Sequence, residues 1–150
     1  MTTVPSLRER ALQCLARREH TRVELARKLA SYAESPEEIE GLLDELTAGR
    51  LLSDVRYAES RVRTRGARYG NTRLVQELHA AGVEGELVRQ ALDEAGDELT
   101  RAKDVWQRKY GRSGLPADAA ERLRQTHFLM RRGFSGETIR RLLRGDLEGD

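Results

Sequence analysis

The chain predicts an all-α protein built as three tandem three-helix repeats. Three observations point there. First, Ala33–Leu43, Gly82–Leu92 and Gly133–Leu143 are versions of one pattern at offsets of 49 and 51 residues. Each version begins where an amphipathic helix stops and runs into a helix with an acidic start, so a whole supersecondary unit is repeated. Second, apolar residues recur at three- and four-residue spacing through most of the chain, which is the helical period. Third, of 150 residues only 38% are apolar and 35% are charged. One large core would be thinly supplied by that composition, whereas small modules packed in a row are not.

The first repeat is expected over residues 1–52. Leu7, Ala11, Cys14 and Leu15 mark its first apolar stripe, and Leu25, Leu29 and Tyr32 its second. Thr21 with Glu24 three residues on has the form of a capping box. Ser35-Pro36-Glu37-Glu38 reads as a second start signal, with Ser35 as cap, Pro36 in the first helical position and Glu38 closing the box. The third helix should bury Ile39, Leu42, Leu43 and Leu46.

The second repeat is expected over residues 53–96. Asp54 is placed as the cap of its first helix, with Val55, Ala58 and Val62 on the buried stripe. Gly66 to Gly70 breaks the chain. The middle helix carries Leu74, Val75, Leu78 and Ala81 and ends at Gly82, which is free to adopt the left-handed conformation that closes a helix. Val88, Ala91, Leu92 and Ala95 form the third stripe.

The third repeat, expected over residues 97–150, opens with Leu99, Ala102, Trp106 and Tyr110, followed by a turn-rich linker from Gly111 to Pro116. Leu123 and Met130 are the expected stripe of a middle helix, diluted by Gln125 and His127. Gly133 ends that helix, Ser135 caps the last one, and Ile139, Leu142, Leu143 and Leu147 restore the pattern. Gly145 to Asp150 should fray.

Charge is distributed unevenly beneath a net value of +2. Residues 33–49 hold six acidic side chains and no basic one, while residues 60–76 hold five arginines and no acidic one. Residues 101–144 hold twelve basic side chains against four acidic. A polyanion or an acidic protein surface fits such a stretch. A solvated face of a helical array fits each single cluster equally well. No apolar run approaches a membrane span, and Met1–Ser6 lacks the form of a signal peptide, so a soluble cytoplasmic protein is expected. The single cysteine, Cys14, reads as a small buried hydrophobe.

The residue types of a catalytic or metal centre do not assemble. His20, His79 and His127 fall in different repeats without a carboxylate or cysteine at ligand spacing. Gly-rich phosphate loops and nucleophile motifs are missing. The Glu37–Glu38 pair lies at a helix start, where the macrodipole favours negative charge. No enzyme, cofactor or metal is expected. Arg61, Arg65, Arg68 and Arg73, with Tyr57 and Tyr69 nearby, resemble a nucleic-acid surface on which guanidinium groups meet phosphates and rings meet bases. The same arginines could instead pair with carboxylates of a protein partner.

A family resemblance rests on four runs. They are Arg18-Glu19-His20-Thr21-Arg22-Val23-Glu24-Leu25 with Lys28-Leu29; Leu51-Leu52-Ser53-Asp54-Val55-Arg56-Tyr57-Ala58; Gly70 with Arg73-Leu74 and Glu77-Leu78; and Phe128-Leu129-Met130-Arg131-Arg132-Gly133-Phe134-Ser135. In this order and spacing they resemble bacterial RecX over nearly the whole chain. The resemblance implies three tandem three-helix repeats in an elongated, curved array. It also implies a non-enzymatic modulator of the RecA recombinase, lodged in the groove of the RecA filament on single-stranded DNA and limiting its extension, ATP hydrolysis and strand exchange. Some members bind DNA by themselves. One departure is Tyr32-Ala33-Glu34, where many members place Gly before the capping residue.

Charge clustering selects Arg56, Tyr57, Arg61, Arg65, Arg68, Arg73, Arg131, Arg132, Arg140 and Arg141 as the surface for the filament and its DNA, with the acidic first repeat meeting basic RecA surface. Arg56 and Tyr57 have a second reading, in which they orient one repeat against the next. A monomer is expected. A direct DNA-binding protein that competes with RecA for strands, and a helical interaction scaffold, are the alternatives.

Overall fold

The computed structural model describes residues 3–145. Among these residues the chain forms nine α-helices: α1 Leu7–Arg17, α2 Arg22–Leu29, α3 Pro36–Ala48, α4 Asp54–Arg65, α5 Asn71–Ala80, α6 Gly85–Glu94, α7 Glu98–Tyr110, α8 Ala119–Arg131 and α9 Gly136–Leu143. They fall into three units of three, each with its own core. Ala11, Leu25, Leu29, Leu43, Leu46 and Leu52 are the centre of the first. Tyr57, Ala58, Val62, Leu78, Val83 and Val88 form the second, and Leu99, Ala102, Trp106, Leu129, Phe134 and Leu142 the third. Burying many Leu side chains in small separate clusters is how a chain with so few apolar residues can still fold.

Local signals fix most helix starts. Ser6, Thr21, Ser35, Ser53, Asp97, Asp118 and Ser135 each accept a bond from the third backbone N–H of the following helix. At Thr21 the box is complete, with the Glu24 carboxylate accepting from the Thr21 N–H at 3.1 Å. The predicted box at Ser35 is not: Glu38 Oε2 accepts from the Glu34 N–H at 2.9 Å, one residue further back. Ser53 rather than Asp54 caps α4, which releases the Asp54 carboxylate for a different bond.

Three predicted stripes are corrected. Val55 is exposed, and Tyr57, a half-turn away, is buried with Ala58 and Val62. Tyr32 lies beyond the end of α2 and is exposed, with the Arg10 guanidinium 3.8 Å above its ring. In α8, Leu123 and Met130 face solvent, and the buried line is Gln125 with Leu129. Gln125 is admitted because its polar atoms are satisfied. Its Oε1 accepts from Trp106 Nε1–H at 2.8 Å, and its Nε2 donates to the Gly114 carbonyl and to Glu121 Oε1 at 3.2 Å each. Cys14 is partly buried against the first core. The expectations for Leu147 and for residues 146–150 lie outside the described residues.

The units are joined twice by the same arrangement. The first acidic residue of one unit's first helix accepts from the first backbone N–H of the previous unit's middle helix: Arg22 N–H to Asp54 Oδ1 at 2.8 Å, and Asn71 N–H to Glu98 Oε2 at 2.6 Å. One residue earlier, the Thr21 hydroxyl donates to the Ala81 carbonyl, and the Gly70 N–H donates to the Arg132 carbonyl at 2.8 Å. Thus the start of one middle helix is held against the end of the next. Both ends are closed by glycines of positive φ, Gly82 at 87° and Gly133 at 86°. A methyl group at Gly82 would collide with the Val23 side chain, and one at Gly133 with Arg73. Glycine is required there by conformation and by space together.

Candidate nucleic-acid interface

The site begins with Tyr69, in the turn between α4 and α5. The buried Gly66 and Gly70 bracket that turn, and three arginines of the third unit grip it. Arg101 donates from Nε to the Gly66 carbonyl at 3.0 Å, from one terminal nitrogen to Asn71 Oδ1 at 2.8 Å, and from the other to the Tyr69 carbonyl at 2.9 Å. Arg108 donates to the Ala67 carbonyl at 2.5 Å, and Arg132 reaches the Arg68 carbonyl at 3.5 Å. Burial lowers the pKa of Arg101, opposed by the nearby Glu98 and Asp97 carboxylates.

Cations crowd the Tyr69 ring. The guanidinium carbons of Arg73, Arg65 and Arg132 lie 4.2, 4.5 and 5.6 Å from its centroid, within cation–π range. Glu77 is the carboxylate among them. It accepts from Arg65 in a bidentate pair at 2.6 and 2.7 Å, and lies 3.5 Å from Arg73 and 4.0 Å from Arg61. Burial alone would raise its carboxyl pKa, but the bonds and charges of Arg65 and its neighbours outweigh that and hold it low. A single negative charge therefore faces three guanidinium groups. Arg61 Nε is buried with no hydrogen-bond partner among the described residues.

The face continues into the third unit through Phe128, which packs edge-on to Tyr110 at 5.6 Å and lies beneath Arg132 and Lys109 at 5.3 and 5.5 Å. Thus Arg65, Arg73 and Arg132 of the predicted set converge on two rings, Arg61 joins them through Glu77, and Arg68 is exposed beside them. Arg131 is exposed next to Arg132. Arg140 and Arg141 stand apart on α9, where Arg140 borders an apolar groove with Arg122, Met130 and Ile139. Arg56 pairs with Glu19 at 3.1 Å and donates to the Arg50 carbonyl at 2.8 Å, so it ties the first unit to the second, and Tyr57 is buried in the core of the second unit. Arg101, Arg108 and Lys109 were not in the predicted set. For the first two a signal was present, since Arg101 and Arg108 share one stripe of α7 with Val105 at spacings of four and three.

Among the described residues there is no cluster of three or more His, Cys, Asp and Glu side chains able to hold a metal, and no helix long and apolar enough to cross a membrane. The first-unit histidine, His20, is a structural residue. It is buried, its Nδ1 lies 3.0 Å from the Arg18 carbonyl, and its Nε2 lies 2.8 Å from the Lys28 ammonium. Because an ammonium can only donate, Nε2 must accept and the proton belongs on Nδ1.

Like units with like joints define a helical-repeat protein, here with a basic face lined by rings. The chain belongs to the RecX family: profiles for the first, second and third three-helix domains of RecX match residues 8–46, 53–92 and 96–143. Among similar proteins, the regulatory protein RecX of Chromobacterium violaceum is 44% identical over 145 residues, covering 97% of this chain and 93% of its own length. That of Leptothrix cholodnii is 49% identical over 140 residues, covering 93% and 88%. The crystal structure of RecX from Lactobacillus salivarius superposes with a TM-score of 0.80 over 95% of this chain and 94% of that one, at 22% identity. The fold class is therefore the predicted one, and the family is one of regulatory proteins.

Proposed function

We propose that the chain regulates RecA by binding its filament on single-stranded DNA, limiting filament extension, ATP hydrolysis and strand exchange. The observation that carries this reading is the convergence of Arg65, Arg73 and Arg132 on Tyr69, with Glu77 as the carboxylate that faces Arg65, Arg73 and Arg61. Such a surface holds positive charge in excess of its own needs and offers ring faces beside it, the two features a single strand can use. Arg68 and Arg131 extend it, Arg140 and Arg141 offer a separate basic patch on α9, and Arg56 and Tyr57 support the array that presents both. The acidic α3 gives the opposite end of the chain the charge to meet basic protein surface. The domains are assigned to residues 1–52, 53–96 and 97–150, and the working form to a cytoplasmic monomer without a cofactor.

The mechanism is bridging. An array that spans successive RecA subunits and is stiff at its joints would hold those subunits in one relation and oppose the rearrangement that growth and turnover require. The test is RecA's strand-dependent ATP hydrolysis while this protein is titrated, with DNA in excess so that competition for strands cannot lower the rate. A fall well below one protein per RecA is the expected result. An unchanged rate with folded protein would refute the reading and leave a direct DNA-binding role, or another partner, as the better account.

A further inference from the structure

A pocket of about 390 Å³ opens where the second and third units meet, lined by Arg68, Val105, Arg108, Lys109, Phe128 and Arg132. Four of those six residues are cationic and none is acidic. The geometry points to a phosphate seat: one backbone phosphate of a single-stranded nucleic acid sits among Arg68, Arg108, Lys109 and Arg132, and filling it tightens the joint between the two units. This rests on the reading that the basic face meets single-stranded DNA.

Two observations on the molecule carry the seat. The first is electrostatic. Elsewhere on the face Glu77 offsets part of the guanidinium charge around it, but the pocket has no such carboxylate in its lining, so an incoming anion meets charge that is not already paired off. The volume exceeds what a phosphate needs and leaves room for the attached sugar, with Val105 and Phe128 as an apolar floor. The second is mechanical. Arg68 belongs to the second unit, whereas Arg108, Lys109 and Arg132 belong to the third. Arg108 and Arg132 already reach across to the Ala67 and Arg68 carbonyls. An anion shared by all four draws the units together in the same sense as the Gly70 N–H to Arg132 and Thr72 N–H to Gly133 bonds, at 2.8 and 3.1 Å. Binding and stiffening are then one event, because a ligand that prefers the closed joint must stabilise it.

Lys109 is the discriminating residue. It is exposed, is not part of the surface around Tyr69, and its ammonium lies over the Phe128 ring. Binding of a labelled twelve-residue oligo-dT to the intact chain would be followed by fluorescence anisotropy over a salt series, for the parent, Lys109→Gln, Arg108→Gln and, as a control remote from the pocket, Arg89→Gln. Lys109→Gln should weaken strand binding roughly three- to tenfold and lower the salt slope by about 0.7, the value for one strand phosphate that the protein no longer neutralises. The control should change by less than about twofold. In parallel, hydrogen exchange at the Gly70 and Thr72 amides should slow when the strand binds the parent and not when it binds Lys109→Gln.

Unchanged affinity and slope in Lys109→Gln would overturn the seat, as would a parent chain that binds no strand. Exchange that does not slow would overturn the tightening. Inorganic phosphate at matched ionic strength is the third arm. If it slows the Gly70 and Thr72 amides as much as the strand does, while Lys109→Gln leaves strand binding intact, the pocket takes free phosphate and the strand is refuted as its source. Sedimentation of each variant with RecA filaments separates this from the broader reading. A Lys109→Gln chain with parental strand affinity that still pellets with filaments sinks the seat alone, and a parent that does not pellet sinks the filament reading.

Discussion

At the scale of single residues, position decides whether a side chain serves the surface or the frame. Arg50 follows the end of α3 with φ at +61°, whereas α6 and α9 end at Gly96 and Gly145 with φ of +84° and +90°. The first unit thus forces an L side chain into a left-handed conformation that the other two units give to glycine. Arg50→Gly should stabilise the chain by about 0.5 to 1 kcal/mol, since the relief of strain exceeds the added freedom of the unfolded chain. Chemical denaturation with an unchanged slope checks it. His20 is the second case. Burial, helped by the Arg18 and Lys28 charges, lowers its pKa against the opposing pull of the bond to the Arg18 carbonyl and of the Glu24 charge. The folded chain therefore resists a proton that the unfolded chain accepts. The stabilisation is whole above the ordinary imidazole value of about 6.5 and is lost as pH falls through and below it. Denaturation midpoints between pH 7.5 and 5.5 should fall in the parent, and fall less in His20→Gln.

At the scale of elements, the joints depend on backbone approach more than on side-chain pairs. α5 has no side-chain cap of its own, because Gly70 stands where Ser or Asp would. A Cβ at Gly70 would collide with the backbone of Gly133 and Phe134, and the start of α5 is satisfied instead by Glu98 from the next unit. Glu98 also accepts from the Ser135 and Thr138 hydroxyls at 2.8 and 2.6 Å. Burial alone would raise its pKa, but those bonds and the Asn71 N–H outweigh it and hold the carboxyl low. Gly133→Ala and Gly96→Ala make a matched test. Both sites have positive φ, but a methyl group meets nothing within 4 Å at Gly96 and strikes Arg73 at Gly133. Gly96→Ala should cost about 1 to 2 kcal/mol from backbone strain, and Gly133→Ala a further 1 to 3 kcal/mol or so from the collision. Equal costs in thermal unfolding would show that the joint yields freely.

Helix existence was legible from the chain because the apolar period and the caps agree in almost every element. The failures have one physical source. A period reports which residues could be buried, not which bury what, so Leu123 and Met130 read as core while the core of α8 is built on Gln125, whose partner Trp106 lies nineteen positions away in another helix. Asp54 read as a cap because caps are local, but its carboxylate is used by Arg22 of the previous unit. The site was partly legible for the same reason. Arg61, Arg65 and Arg73 are near one another in sequence, whereas Arg108 and Lys109 join them only through the packing of the third unit on the second.

At the scale of the whole molecule, charge and stiffness can be separated by mutation, because the atoms that carry them are mostly different. The Arg132 side chain lies on the basic face with Arg131 exposed next to it, and its reach across the joint is the long 3.5 Å bond to the Arg68 carbonyl, whereas the short bonds of the joint use the Arg132 carbonyl and the backbone of Gly133. Reversing both charges, as Arg131→Glu with Arg132→Glu, should leave helicity intact and weaken filament binding by about tenfold or more, most visibly at low salt. Gly133→Ala leaves every charge in place and loosens the connection of the second unit to the third. If regulation is bridging, the two variants must fail differently. The charge reversal should shift the titration of RecA ATP hydrolysis to higher protein concentration while reaching the parental end point. Gly133→Ala should bind filaments with little loss, yet reach a shallower end point, because a compliant array can occupy successive subunits without fixing the relation between them. Parental inhibition by a filament-bound, demonstrably loosened Gly133→Ala chain would rule out stiffness as the working principle and leave occupancy of the groove as the cause.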